Sequence, residues 1–354
     1  MYFSAIRLWR NEEIKMLIIR PIRASDYDAL YGIAVESGHG FTSLPVNEEL
    51  LRSKIARAEA SFIKQIDKPF DEGYLMVLED TKTNEVVGTC GIEAAVGMQD
   101  AFYHYRLGTE VYHSQQISVR NEVETLTLCH DYTGAAEVCT LFLKDGYRKG
   151  NNGRMLSRSR FLLLAQHPER FGETVIAEMR GVSDEHGDSP FYEWLQNHFL
   201  GIDFVEADYL SGLGKKAFMA EMMPRNPVYV CMLPKKAQKV IGEVHKNTKP
   251  ALRLLQAEGF KFRNYVDIFD GGPTVECALA EIRSVKKSRL LTVSVGKMPH
   301  ADHHFIISNT SLADYRASAA KLLVSDEHDN VVLSPEIAAG LLVSDGEQIR
   351  VLAM

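Results

Sequence analysis

The run of residues best suited to chemistry is YRKGNNGRML, Tyr147–Leu156, which follows an apolar segment over 138–143. That segment predicts a strand, and the pattern after the glycines predicts a helix that continues to about Gln166. The backbone N–H groups of a first helical turn have no partner within the helix and favour an anion. Arg148, Lys149 and Arg154 add positive charge at the same place. The run therefore predicts a pyrophosphate site, and the alternative is a solvated basic loop before an ordinary surface helix.

The glycine spacing excludes two common kinds of phosphate-binding loop. Neither the Walker pattern nor the dinucleotide Gly-x-Gly-x-x-Gly pattern is present. The run resembles the acyl-CoA loop of the GNAT acyltransferases, usually Arg-Gly-x-Gly-x-Gly/Ala, although Asn151 stands where a glycine is typical. Asn accepts left-handed backbone angles more readily than most residues. The resemblance implies that the acyl-CoA pyrophosphate is bound by Arg148, Gly150, Asn151, Asn152, Gly153 and Arg154.

A second segment, HKNTKPALRLLQAEGF over His245–Phe260, resembles the last helix and strand of the same superfamily. Pro250 is tolerated in a first helical turn, and Gly259 is well placed to end the helix. Many GNAT enzymes place a tyrosine four residues before the final Gly-Phe, and here that position is Leu255. The nearest comparable titratable group is His245, since imidazole gives and takes protons near neutral pH.

The elements that must position these residues alternate along the chain. We predict one α/β core over 16–296, of the α+β type with a mixed central sheet, carrying insertions at about 97–135 and 202–240. A small β-rich region over 297–354 and an extension over 1–15 flank it. The expected strands are 17–22, 74–79, 86–95, 137–143, 174–180 and 261–268, with helices at 26–36, 47–65, 152–166, 190–198 and from about 247.

Bulk properties exclude several classes of protein. The 354 residues are 45% hydrophobic and 25% charged, which is ordinary for a globular chain, and the net charge of −7 argues against a nucleic-acid partner. We expect no membrane span and no signal peptide, and hence a cytoplasmic protein. The five cysteines lack paired spacing, and His300, His303 and His304 have no carboxylate at helical spacing. We therefore expect reduced thiols and no metal.

Longer motifs are similar to those of the arginine N-succinyltransferases. They are GFTSLP (40–45), EVCTLFL (137–143), AEMRG (177–181), DEHGDSPF (184–191) and NYVDIFDGGPT (264–274), and the likeness covers about 16–296. It implies succinyl transfer from succinyl-CoA to the α-amine of L-arginine in arginine catabolism. Succinyl-CoA would be a co-substrate, with no cofactor bound permanently. The family also suggests an oligomer, either of identical chains or with a paralogous subunit.

The same resemblance assigns His245 as the proton donor and Leu141 as a contact of succinyl-CoA. His130 and His186 are weaker candidates. A guanidinium calls for a carboxylate in bidentate geometry, and Arg180 is a candidate clamp for a substrate carboxylate. The Thr42–Ser43 turn is either a helix cap or a substrate contact. The carboxylate candidates, which the sequence does not rank, are Glu178, Asp184, Glu185, Asp267 and Asp270.

The sequence leaves three hypotheses about the function open. The first is arginine succinyl transfer, including an arginine/ornithine succinyltransferase subunit. The second is a GNAT acetyltransferase that acts on another amine. The third is a sensor that binds acyl-CoA or arginine without turnover. A succinyl pocket needs a cation for the distal carboxylate, whereas an acetyl pocket is small and apolar.

Overall fold

A computed structural model describes residues 16–37, 43–184, 187–212, 221–325 and 327–354. Its centre is one mixed sheet of fifteen strands with helices against it, so the predicted mixed α/β fold is confirmed. The strand order across the sheet is β14-β11-β15-β12-β13-β1-β2-β3-β6-β7-β10-β9-β4-β5-β8. None of the helices in the described ranges has the length and apolar composition needed to cross a bilayer.

The strands have the following bounds. They are β1 Leu17–Pro21, β2 Gly73–Asp80, β3 Glu85–Glu93, β4 His104–Ser114, β5 Val119–Cys129, β6 Ala136–Leu143, β7 Thr174–Glu178, β8 Val228–Tyr229, β9 Lys261–Val266, β10 Pro273–Ala278, β11 Arg289–Val295, β12 His304–Asn309, β13 Ala317–Lys321, β14 Asn330–Leu333 and β15 Gln348–Ala353. Among these strands of the described ranges, only β6 with β7 and β11 with β14 pair in parallel.

The helices of the described ranges are α1 Tyr27–Ser37, α2 Glu48–Ile63, α3 Asn152–Gln166, α4 Pro190–Leu195, α5 Phe204–Gly212, α6 Lys235–Gln238, α7 Lys249–Ala257, α8 Arg283–Lys287 and α9 Pro335–Leu341. The predicted helix over 152–166 is confirmed at both ends. The helix predicted over 190–198 is α-helical to Leu195 and continues as a π-helical turn over Gln196–Leu200. Pro250 lies in the first turn of α7, as expected, and Gly259 ends it with φ +105°.

Helix α3 is buried on nearly every side. It packs against β3 and β6, against α8, and against the C-terminal strands β12, β13 and β15. Phe161, Leu162, Leu163 and Leu164 are all fully buried, which no two-sided amphipathic helix would permit. This position also places Arg158 and Arg160 of α3 in the interior of the protein.

The segments predicted as insertion and tail extend the sheet at its two sides. The hairpin β4–β5, within 97–135, pairs through β4 with β9. At the other side β13 pairs with β1, and β12 and β15 follow it. Strand β11, before the boundary expected at 296, pairs with β14 and β15. The division into domains stays a prediction, since the sheet runs on without a break.

Candidate active site

A cleft of about 1540 Å³ opens where β6 and β7 diverge. These parallel strands pair only through Ala136 with Val175 and Glu137 with Ile176. Beyond that point the segment 138–143 of β6 and the segment 177–180, which includes the end of β7, both line the cleft. A strand whose neighbour turns away presents backbone N–H and C=O groups to whatever enters the gap. The divergence therefore provides a groove for an extended, amide-containing chain.

The glycine-rich loop lies at one end of this cleft. Gly150 has φ +56°, and Asn151, the residue before α3, makes no side-chain cap on the helix. The Asn152 N–H donates to the Lys149 carbonyl at 3.3 Å, and the N–H groups of Gly153 and Arg154 in the same turn are positioned for an anion. Five of the six residues predicted to bind a pyrophosphate line the cleft: Arg148, Gly150, Asn151, Gly153 and Arg154.

Two of the six residues also hold the loop itself. Asn152 is not a lining residue, and its side-chain amide donates to the Tyr147 carbonyl at 3.1 Å. Arg148 donates to the Leu143 carbonyl at 2.7 Å and pairs with Asp145 at 2.6 Å. Arg148 therefore combines a place on the wall with a bond that ties the loop to the end of β6.

The middle of β6 carries a bulge. Its register with β3 passes from Cys139 opposite Gly91 to Phe142 opposite Thr89, so Thr140 and Leu141 both stand opposite Cys90. Thr140 has φ +54°, which is rare for a β-branched residue. Such a bulge re-aims the backbone at a chosen point. Leu141, the predicted acyl-CoA contact, is half-buried and lines the cleft directly after it.

Three carboxylates meet at the β7 side of the cleft. Glu178 ends β7, and Asp267 and Asp270 lie in the turn between β9 and β10, which pairs with β7. Asp267 Oδ1 accepts the N–H groups of Phe269 at 2.7 Å and Asp270 at 2.9 Å. The structure thus brings together three of the five carboxylates that the sequence left unranked.

Asp270 fastens this turn to the chain after β7. It accepts the N–H groups of Gly181 at 2.6 Å and Gly272 at 2.8 Å. A Cβ at Gly272 would stand 2.1 Å from the Met179 carbonyl oxygen, so the two segments approach this closely only because a glycine is there. The position of the acidic cluster is therefore fixed by backbone packing.

The electrostatics of the cluster favour a cation. Burial, with Asp270 and Glu178 nearby, raises the pKa of the Asp267 carboxyl well above its ordinary value. Burial likewise raises the pKa of Asp270, against the lowering effect of its two N–H donors. Like charges in a shared low-dielectric site resist ionisation together, and a cation placed among them removes that penalty.

His104, which the sequence analysis did not single out, backs this cluster. It begins β4, is fully buried, and places Nε2 3.1 Å from Glu178 Oε1. The rings of Phe102 and Tyr132 pack edge-on against it at 5.0 Å. No spacing in the sequence links residue 104 with residue 178, because only the pairing of β4 with β9 brings them together.

His245, the predicted proton donor, lies just behind the cleft wall. It is 7% exposed and is not itself a lining residue, whereas Arg180 and Asn247 on either side of it line the cleft. Its N–H donates to the Arg180 carbonyl at 2.9 Å, and its Nδ1 accepts the Asn247 N–H at 3.2 Å. Burial, then Arg180 and Lys246, lowers the pKa of the imidazole. With Nδ1 accepting, the neutral ring carries its proton on Nε2.

The remaining candidate residues differ in whether they line the cleft. Asp184 caps its own loop by accepting the Asp188 N–H at 2.9 Å and does not line the cleft, and His130 is exposed. Ser43 and Leu255 line the cleft. Thr42, Glu185 and His186 lie outside the described residues.

No metal centre is placed by the part of the chain that the structure describes: it holds no group of three or more His, Cys, Asp or Glu side chains arranged for one. His300 and His303 lie exposed in the irregular segment before β12, and His304 is exposed at the start of that strand.

Known proteins match this one along nearly its whole chain. The family described as "Arginine N-succinyltransferase beta subunit" matches residues 17–284, and its C-terminal domain matches 289–353. Proteins named arginine N-succinyltransferase are 43% identical in Escherichia coli (strain 55989 / EAEC) and 44% in Citrobacter koseri, each over 96% of this chain and 98% of the relative. The solved arginine/ornithine succinyltransferase subunit AI from Pseudomonas aeruginosa superposes with a TM-score of 0.88 at 36% identity, over 96% of this chain and 99% of that one.

Proposed function

The chain belongs to the arginine N-succinyltransferase family, and we propose that its cleft carries out that reaction, the transfer of succinyl from succinyl-CoA to the α-amine of L-arginine. The observation that carries the proposal is the charge pattern of the cleft. An anion cradle lies at the first turn of α3, after β6, and an acidic cluster of Glu178, Asp267 and Asp270 lies on the β7 side of the same cleft. That pattern suits an anionic acyl-CoA and a cationic amine.

Succinyl-CoA lies with its pyrophosphate on the loop 148–154 and its pantetheine arm along β6. The arm carries amide groups, which pair with backbone N–H and C=O groups that β7 leaves free by turning away. The bulge at Thr140 and Leu141 then faces the thioester. A backbone N–H aimed at the thioester oxygen stabilises the oxyanion that forms when the carbonyl carbon becomes tetrahedral.

L-Arginine lies with a cationic group at the acidic cluster. The side chain of Glu178 is 28% exposed and lines the cleft, and Asp267 stands beside it. Guanidinium and carboxylate form paired, charge-assisted hydrogen bonds. Arg180, on the same wall, is placed to receive a substrate carboxylate.

The reaction then balances as follows. The neutral α-amine attacks the thioester carbon, the C–N bond forms, and the C–S bond breaks as the tetrahedral intermediate collapses. The attacking nitrogen loses one proton and the departing thiolate gains one. His245, whose neutral ring carries its proton on Nε2 because Nδ1 accepts from Asn247, serves as the proton donor to the sulfur. It takes up the proton that the attacking nitrogen releases as it gives one to the sulfur, so the ring is neutral before and after the step.

The test is release of CoA thiol on mixing the protein with succinyl-CoA and L-arginine. The wild type and His245→Ala are compared, with acetyl-CoA and L-ornithine as controls. Arginine-dependent release from succinyl-CoA, much weaker in His245→Ala, is the expected result. Full activity in His245→Ala would remove the histidine from the mechanism, and no release from any pair would overturn the proposed function.

The L-ornithine control has a specific motive. The Pseudomonas aeruginosa neighbour is named an arginine/ornithine succinyltransferase subunit, and both amino acids present an α-amine beside a carboxylate. An oligomer, of identical chains or with a paralogous subunit, stays a prediction.

A further inference from the structure

The wall of the cleft contains a buried cation whose hydrogen-bond partners are all neutral. Arg160 of α3 is 2% exposed and lines the cleft. Its guanidinium donates to the Ser157 carbonyl at 3.1 Å, to Ser157 Oγ at 3.0 Å and to the Cys139 carbonyl at 3.3 Å. Within the described ranges it forms no ion pair with a carboxylate, and burial lowers its pKa.

Another arginine of the same helix shows the usual arrangement. Arg158, also buried, donates to Glu258 at 2.7 Å, so its charge is matched inside the fold. Arg170 is buried with neutral partners, among them the Tyr74 hydroxyl at 2.7 Å, but it does not line the cleft. Because a buried charge is costly unless an anion faces it, Arg160 is prepared for an anion that enters the cleft.

The position of Arg160 relative to the bulge indicates which anion. Its Nη1 contacts the carbonyl of Cys139, the residue directly before Thr140. The bulge is where the proposed reaction puts the thioester. In a succinyl group three C–C bonds separate the thioester carbon from the distal carboxyl carbon, a reach of roughly 4 Å. A carboxylate at that distance from the bulge falls beside the guanidinium.

Three other arginines of the cleft wall differ from Arg160 in their contacts. Arg57 pairs with Glu93, and Arg148 pairs with Asp145 at 2.6 Å. Arg180 donates to Ser183 Oγ at 2.9 Å, and the proposed function already assigns it to the carboxylate of the amino-acid substrate.

We propose that Arg160 binds the distal carboxylate of the succinyl group and so selects a dicarboxylic acyl donor over a monocarboxylic one. The inference rests on the proposed function, in that the acyl-CoA is taken to lie along β6. The planar guanidinium offers two parallel N–H groups to a carboxylate, which a lysine could not reproduce.

The test measures binding of two acyl-CoA thioesters of equal length by titration calorimetry. Succinyl-CoA and butyryl-CoA differ only in that a carboxylate replaces the terminal methyl group. The wild type should bind succinyl-CoA more tightly than butyryl-CoA. Arg160→Met should weaken the binding of succinyl-CoA by about 100-fold, while its affinity for butyryl-CoA should change by less than about 3-fold. Arg160→Lys should fall between the two, because it keeps the charge and loses the paired geometry.

Arg158→Met is the matched control, since it removes a buried arginine of the same helix whose partner is Glu258. It should lower the unfolding temperature and leave the ratio of the two affinities unchanged. Equal loss of both thioesters in Arg160→Met, or no preference for succinyl-CoA in the wild type, would overturn the inference. If Arg160→Met does not fold, a wild-type ratio in Arg160→Lys overturns it instead.

Failure of the proposed function gives a different pattern. In that case the wild type shows no arginine-dependent thiol release. The dissociation constants of succinyl-CoA and butyryl-CoA still show whether residue 160 binds the distal carboxylate. If the wild type turns over arginine and Arg160→Met loses the same affinity for both thioesters, the proposed reaction is kept and Arg160 does not select the acyl donor.

Discussion

Replacing Asp267 with asparagine tests the acidic cluster most directly. Asp267 Oδ1 accepts two backbone N–H groups at 2.7 and 2.9 Å, and an asparagine carbonyl oxygen can accept the same two. The turn should therefore keep its shape while the site loses a negative charge. A hydrogen bond to a charged group contributes about 1.5–3 kcal/mol, which corresponds to roughly 10- to 100-fold weaker binding of L-arginine.

The assay is steady-state thiol release at saturating succinyl-CoA, with L-arginine varied. The KM for L-arginine should rise by that factor while the KM for succinyl-CoA stays unchanged, because the loop proposed to bind the acyl-CoA, 148–154, does not include the acidic cluster. Asp184→Asn is the matched control, since Asp184 caps its own loop and does not line the cleft. An unchanged KM for L-arginine in Asp267→Asn would refute the role of the cluster.

We also expect Asp267→Asn to change how the affinity for L-arginine and the stability of the protein depend on pH. Since burial and nearby carboxylates raise the pKa of Asp267, a bound cation should draw a proton off it. Affinity for L-arginine should thus rise with pH through the raised pKa, and less steeply in Asp267→Asn.

For stability, a raised folded-state pKa gives a contribution that is complete below the unfolded value of about 3.9 and is lost as pH rises through the folded value. Asparagine does not ionise, so Asp267→Asn should gain stability relative to the wild type as pH rises. Urea unfolding at several pH values measures this, and parallel curves would contradict the reasoning.

Three further substitutions test other parts of the structure. His245→Ala should lower kcat for thiol release by about 100-fold or more with little change in either KM, and a loss confined to KM would assign His245 to binding. Gly150→Ala, at φ +56° with open space around its Cβ, should strain the loop by about 1–2 kcal/mol and raise the KM for succinyl-CoA, measured against an unchanged KM for L-arginine. Glu258→Gln should lower the free energy of unfolding by about 3 kcal/mol, because it leaves Arg158 buried without its anion. The exposed Glu281→Gln is its control in urea, expected within about 0.5 kcal/mol, and equal effects of the two would refute that account.

The family of the chain and the strand, loop and helix around its Gly-Asn segment could be predicted from the sequence. The strand before Lys144, the Gly-Asn loop and helix α3 follow from neighbouring residues, whose backbone preferences act over a few positions. The same holds for Gly259, which ends α7 in the left-handed conformation that its position requires.

The acidic cluster, the bulge and the buried arginine were decided by tertiary structure. Glu178 and Asp267 are far apart in the chain and meet only because β7 pairs with β10 and a glycine lets the turn approach. Thr140 takes a left-handed conformation that its own side chain disfavours, so the register between β3 and β6 imposes it. Nothing in the sequence sets Arg160 apart from Arg158 on the same helix. Packing of α3 on all sides buries it, because burial depends on which surfaces meet, and residue spacing along one helix does not contain that information.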